Sequence, residues 1–224
     1  MGSRNLVSEL TVAACSIDAA RYAVENWHYS QILPAGKIVK FGVWEGGVFI
    51  GCVLFSRGAS PFLGKSLDLD TTEVCELVRV ALTKHVAPVS QIVALSIKML
   101  KGSNPLMRAI VSFADPKEGH KGGIYQAGNW TFTGSSSPTS EFFIGGRWRH
   151  VRGAWAHPER PTAPHRIVPG KFRYVYPLDK VMRRTLNKLT LDYPHAIEGL
   201  EESRSDSVTE VQVRSLGIAL KDKP

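Results

Sequence analysis

The stretch Val74-Cys75-Glu76-Leu77-Val78-Arg79-Val80-Ala81-Leu82 constrains the fold more than any other part of the chain. It is apolar on both faces apart from Glu76 and Arg79, so as a strand it needs cover above and below. Ala109 to Ala114 reads as a second short buried strand, stopped by Asp115-Pro116 because the residue before a proline is driven toward extended geometry. Between them Pro88 opens a helix whose Ile92, Val93, Ser96, Met99 and Leu100 share a face, with Gly102 after its end. Strand, helix and strand in this order predict an α/β (α+β) protein, a mixed sheet with helices on its faces.

The flanking sequence adds elements of the same kind. Ser16 caps a helix carrying Ala20, Val24 and Trp27 on one side and running into Trp27-His28-Tyr29-Ser30. Phe41 to Trp44 and Val48 to Phe55, separated by Glu45-Gly46-Gly47, predict a hairpin. Ile124 to Ala127 reads as a short helix, with Trp130 to Thr133 and Lys171 to Pro177 as further strands. With 224 residues, 43% of them hydrophobic, the chain can bury one core, here placed in residues 1–180. Residues 189–224 mix acids and serines with few aromatics and read as a C-terminal tail, helical or partly disordered. No run approaches the ~20 apolar residues of a bilayer span and no secretory signal opens the chain, so an intracellular protein without a membrane partner is expected. Cys15, Cys52 and Cys75 sit far apart in apolar surroundings, as small hydrophobes do.

Charge is localised. Arg147 to Lys188 holds eleven Lys or Arg against Glu159 and Asp179, whereas the whole chain carries +8. Trp148, Trp155, Phe172, Tyr174 and Tyr176 are interleaved with these cations, a mixture suited to phosphate contact and base stacking. The alternative is a solvated basic face that serves solubility.

His120-Lys121-Gly122-Gly123-Ile124-Tyr125-Gln126-Ala127-Gly128-Asn129-Trp130 opens a helical stretch on two glycines, each costing about 1 kcal/mol inside a helix relative to alanine. Ligands of mixed sheets gather beyond the carboxyl ends of central strands, which selects Ser112, Asp115 and the glycines after them. Gly122 and Gly123 are expected at a helix N-terminus whose free N–H groups meet an anion or a carbonyl oxygen.

Taken in order, five blocks resemble the Mom family of phage DNA-modification proteins, within the GNAT acyltransferase superfamily. They are Asn26 to Ser30 with Pro34 to Lys37, Glu73 to Val80, Ser112 to Pro116, His120 to Trp130, and Phe172 to Tyr176. The resemblance implies a mostly antiparallel central sheet flanked by helices. It also implies an enzyme of the bacterial host cytoplasm that places a carbamoylmethyl group on the exocyclic amine of adenine in double-stranded DNA, protecting phage DNA from restriction. Under it, His28, Tyr29, Ser30, Glu76, Arg79, Ser112, Asp115 and Tyr125 are the catalytic candidates. Asp115 is the preferred base, with His28 or Glu76 as alternatives, and Tyr125 the acid. Packing, turn geometry and a capped helix end are the competing explanations for these residues. His120, Lys121, Gly122, Gly123 and Asn129 are candidates for donor binding. Lys37, Arg147, Arg149, Arg152, Lys171, Arg173, Arg183 and Arg184 are candidates for DNA contact. Glu76 and Arg79, three apart on a strand, are expected on opposite faces.

The donor is open between an acyl-coenzyme A and an activated glycine, with glycyl-tRNA the carrier considered and tRNA thus a second partner. Lys84-His85-Val86-Ala87-Pro88 lacks the glycine loop that holds the coenzyme A diphosphate in that superfamily. A divalent metal such as iron on His28, Glu76, Asp115 and His120 is a further candidate, at spacings that form no recognised motif. A homodimer is left open. The competing functions are an acetyltransferase of a protein or small amine, which needs no basic window, and a non-catalytic DNA-binding protein, which needs neither Asp115 nor Tyr125.

Overall fold

A computed structural model describes residues 9–58 and 60–194. Strand β1 (Leu10–Ala14) leads to helix α1 (Ile17–Trp27), where the Ser16 hydroxyl accepts from the Ala19 N–H at 3.1 Å as the sequence predicts. β2 (Ile38–Glu45) and β3 (Val48–Ser56) form the expected hairpin. Gly46 and Gly47 at its turn have φ of 58° and 79°, values that a Cβ disfavours and a tight antiparallel turn requires. β4 (Val74–Leu82) and β5 (Ala109–Ala114) occupy the two apolar runs and are joined by α2 (Val89–Ser103). The helix passes through Gly102, expected beyond its end, and stops when Asn104 turns its side-chain amide back onto the Leu100 carbonyl.

Then come α3 (Gly123–Ala127), β6 (Thr131–Ser135), β7 (Thr139–Ile144), β8 (Arg147–His150), α4 (Val151–Ala154), β9 (His165–Val168), β10 (Phe172–Pro177) and α5 (Lys180–Asn187). The main sheet has the order β1-β2-β3-β4-β5-β10-β6, and only β4 and β5 run parallel. It is the mixed, mostly antiparallel sheet between helices that the resemblance implies. α2, and α3 through Tyr125, cover one face over Phe41, Val53, Phe55, Leu77, Ile110 and Tyr174. On the opposite face, by the period of two along each strand, α1 covers Cys52, Leu54 and Ala81, while Met182 and Leu186 of α5 cover Val111 and Val175. Cys52 and Cys75 are buried, and burial pushes both thiols up to about 12.

Between β6 and β10 the chain makes an excursion, a three-stranded sheet ordered β8-β7-β9, with β7 just before the basic window and β8 and β9 inside it. The start of the expected tail is held against β6. Leu191 N–H donates to Phe132 O at 3.0 Å, and the Tyr193 hydroxyl donates to Trp130 O at 2.9 Å. The rest of that tail, residues 195–224, lies outside the described residues. No helix among the described residues is long and apolar enough to cross a membrane.

Candidate functional site

β4 and β5 pair over three residues only, Val74 to Glu76 against Ala109 to Val111, and then separate. At the fork β4 is bulged: Leu54 of β3 faces Arg79 and Phe55 faces Leu77, which leaves Val78 without a partner position. The bulge breaks the strand's period of two and brings Arg79 to the same face as Glu76, contrary to the expectation from their spacing. Where the next ladder bond would form, the buried Ser112 substitutes its side chain. Its Oγ lies 2.8 Å from the Leu77 carbonyl and 2.7 Å from the Tyr125 phenolic oxygen. A carbonyl only accepts, so when Leu77 takes the serine proton, Tyr125 donates back to Ser112. Burial pushes the Tyr125 phenol up to about 12 against the opposing Ser112 hydrogen bond, so the group holds its proton and can act as an acid.

The segment after α1 roofs the fork on the α1 side. Ser30 N–H donates to His28 Nδ1 at 3.1 Å, and Ser30 Oγ lies 2.8 Å from the same nitrogen. Nδ1 is thereby an acceptor, which puts the ring proton on Nε2. Desolvation first, then the charges of Arg79 and His120, lower the His28 pKa to about 4. Tyr29 packs on His28 with centroids 4.3 Å apart and meets His120 edge-on at 5.2 Å; partial burial raises its pKa. Arg79 tethers this roof. Its Nε and Nη2 donate to Ile32 O at 3.4 and 3.3 Å, and Nη1 donates to Val78 O at 2.7 Å.

β5 delivers Asp115 to the open end of the fork. One carboxylate oxygen caps the turn Pro116–Glu118 by accepting from Lys117 N–H at 3.1 Å, and the other pairs with Lys171 Nζ at 2.8 Å. Lys171, Asp115, Arg79 and Glu118 all act electrostatically on Tyr29, so these groups share one locale. His28, Tyr29, Ser30, Arg79, Ser112, Asp115, His120 and Tyr125 thus gather around the fork. Glu76 sits at its base, on the face away from Tyr125, close enough to Gly58 that a Cβ there would come 2.9 Å from Glu76 Oε2. The expected metal set does not converge. Among the described residues no three His, Cys, Asp or Glu side chains are placed to share an ion.

Of the donor candidates, Gly122 has φ +83° and lies under Tyr174, whose Cε2 would be 2.3 Å from an added Cβ. The Tyr174 hydroxyl donates to Lys121 O, and Gln126 Nε2 reaches the same carbonyl at 3.1 Å. An aromatic neighbour therefore accounts for Gly122, whereas Gly123 has nothing within 4 Å. Asn129 takes φ 57° in the turn after α3. In the loop just before α2 the Glu45 carboxylate accepts from Val86 N–H at 2.9 Å and from Ala87 N–H at 2.8 Å. A diphosphate that used these two amides would have to displace Glu45. No local pattern signals this interaction, because its partners are 41 and 42 residues apart.

The basic window divides among separate elements. The excursion between β6 and β10 is closed by Ser136 N–H donating to Lys171 O and Lys171 N–H donating to Ser136 Oγ, both at 2.9 Å. Glu141 ties it to the turn after Asp115, pairing with Lys117 at 3.0 Å and Arg166 at 2.7 Å; burial raises its pKa, but these cations bring it below the usual range. Arg166 lies over Trp148 at 4.1 Å and Arg160 over the exposed Trp155 at 4.4 Å. Arg147 and Arg152 are exposed here and Arg149 is half-buried, while Arg183 and Arg184 are exposed on α5. Arg173 turns inward to Thr133 Oγ1 and Leu63 O, at 3.1 and 3.3 Å. Lys37 lines a separate cavity of ≈430 Å³ at the starts of β2 and β4.

The chain is 29% identical over 196 residues to the methylcarbamoylase Mom of Escherichia phage Mu, 80% of each protein being covered. Solved structures of similar architecture include FeeM, an N-acyl amino acid synthase from uncultured soil microbes (TM-score 0.47, 12% identity, 84% of this chain and 97% of that one). Arabidopsis thaliana NAA60 in complex with acetyl-CoA is another (TM-score 0.43, 9% identity, 76% and 100%). The sequence profile of the Mom protein family matches residues 9–195, and the chain belongs to that family.

Proposed function

We propose that this chain is a DNA-modifying transferase that places a carbamoylmethyl group on the exocyclic amine of adenine in double-stranded DNA. Protection of phage DNA from restriction in the host cytoplasm would be the consequence. The observation that supports this most directly is the fork itself. A protonated, buried Tyr125 stands on one face of the sheet, and the Asp115–Lys171 pair, with Tyr29 and His28 above it, stands on the other. Such a gap lets an amine approach from one side while a leaving group departs from the other. The phage Mu relative, named a methylcarbamoylase, supplies the class of product.

Adenine must leave the base stack to reach Asp115. Its amine is a weak nucleophile, and the Asp115 carboxylate, 2.8 Å from Lys171 Nζ, can take its proton as the new bond forms. Asp115 in this role favours catalysis over DNA binding alone. With a glycyl ester as donor, the amine attacks the carbonyl carbon, the ester C–O bond breaks and Tyr125 protonates the departing ribose oxygen. The glycine amine then attacks ring carbon six through a five-membered ring, and the original nitrogen leaves as the terminal amide with the proton that the attacking amine gives up. Reactant and product of this second step are isomers, so no oxidant or further donor is needed. Simple acyl transfer from coenzyme A stops at an amide, and Glu45 already occupies the amides at the start of α2, so both points favour activated glycine, with glycyl-tRNA as its carrier.

Cells expressing the chain and fed glycine bearing heavy nitrogen test the whole reading. Modified deoxyadenosine with the label beside the purine ring supports it. Label in the terminal amide, or modified base without label, removes the glycyl route, and unmodified deoxyadenosine from soluble protein removes the function.

A further inference from the structure

A second cavity, of ≈550 Å³, opens on the face of the sheet that carries Asp115 and is lined by Ser60, Phe62, Leu63, Lys65, Ser66, Phe113, Ser136 and Arg173. Three of these side chains adjoin the Asp115–Lys171 pair. Phe113 on β5 precedes Asp115, the extended residue just past the strand's end, by two positions and so points to the same side. Ser136 Oγ accepts from Lys171 N–H at 2.9 Å, and Arg173 follows Lys171 by two residues on the next strand. Phe62, 68% exposed and with Lys65 Nζ 5.7 Å from its ring centroid, shares the lining with the half-buried Phe113 and with Ser60, Ser66 and Ser136. Two phenylalanine rings, serine hydroxyls and a cation around one cavity have the composition of a stacking site for a planar heterocycle joined to a phosphate.

We propose that this cavity receives the flipped adenine, with its ring between Phe62 and Phe113, its amine toward Asp115 and its phosphate at Lys65. The assignment rests on the DNA-modification reading above and specifies how that reaction takes its base. It also explains the two-sided fork. Ser112 and Tyr125 lie on the α2 and α3 face, whereas Phe113 and Arg173 alternate to the other, so base and donor enter from opposite sides and meet where β4 and β5 separate. Ser136 closes the neck of the arginine- and tryptophan-bearing excursion, which places a DNA-facing element directly at the cavity's rim.

Phe62→Ala, Phe62→Trp, Phe113→Leu and Leu106→Ala separate the outcomes, the last being an exposed side chain at the other cavity. Phe62→Ala should lower the rate of modification of a duplex by about 10-fold to 100-fold, the scale of losing one stacking partner, while Phe62→Trp retains activity and Leu106→Ala is unchanged. A duplex carrying 8-azidoadenine at the target should photo-crosslink to residues 60–66 or to Phe113. If wild type modifies DNA but Phe62→Ala and Phe113→Leu match its rate, or if crosslinks fall at Leu106, the cavity is not the base site although the function stands. If wild type modifies no adenine, both fall together.

Discussion

Gly122→Ala probes the junction between fold and site. In the native chain φ is +83° at this position, and a left-handed conformation costs an alanine about 1–2 kcal/mol. The new methyl would also sit 2.3 Å from Tyr174 Cε2 and 2.5 Å from Cζ. That ring cannot swing aside cheaply: it is fully buried, its hydroxyl is bonded to Lys121 O and Gln126, and Phe132 lies 5.4 Å from it. Overpacking a core in this way typically costs about 1–3 kcal/mol, so the total is about 2–5 kcal/mol, a large part of the ~5–15 kcal/mol that holds a domain together. Urea unfolding should show a lower midpoint at unchanged slope. Modification should fall further than the loss of folded protein explains, because Tyr174 stands 5.1 Å from Tyr125. Gly123→Ala is the control for stability. It meets open space at the first residue of α3, and should leave the midpoint equal or raise stability by up to about 1 kcal/mol. A Gly122→Ala protein as stable as wild type would refute the argument from Tyr174.

Further perturbations address the chemistry. Tyr125→Phe and Ser112→Ala remove the two ends of one hydrogen bond in the fork, and each should fold yet lose modification, by about 100-fold or more for the phenol; single-turnover rates check this. Reversing Arg147, Arg152, Arg183 and Arg184 should flatten the salt dependence of duplex binding by about one unit of log–log slope for each phosphate that is no longer neutralised, read by anisotropy at several salt concentrations. Because His28 is depressed to about 4 from 6.5, the unfolded chain binds the proton first as pH falls. Its contribution to stability is therefore lost between pH 6.5 and 4, and His28→Asn should blunt that acid sensitivity in urea titrations.

The apolar runs that form β4 and β5 are legible because a strand buried on both faces leaves little other reading, and the Gly46-Gly47 turn is equally plain. Gly145-Gly146, with φ of 60° and 73°, carries the same signal between β7 and β8, but the arginines around it draw attention to charge and hide a small sheet. Local patterns also select Ser112 and Asp115 toward the end of β5, and the family resemblance adds Tyr125 on α3. They do not encode what those residues touch. The Asp115–Lys171 pair joins two strands, Glu45 reaches across from β2 to the start of α2, and the bulge at Val78 that turns Arg79 depends on β3. The glycine at position 122 does signal a close approach, and the side chain packed against it, 52 residues further along the chain, is that of Tyr174.

If the groups around the β4–β5 fork modify adenine in DNA, mass spectrometry of nucleosides from plasmid DNA will show it, with wild type compared to Asp115→Asn at equal soluble protein. Wild type should give carbamoylmethyl-deoxyadenosine, and the variant should lose about 100-fold or more of it. Unmodified deoxyadenosine from wild type, or undiminished product from Asp115→Asn, would contradict that role.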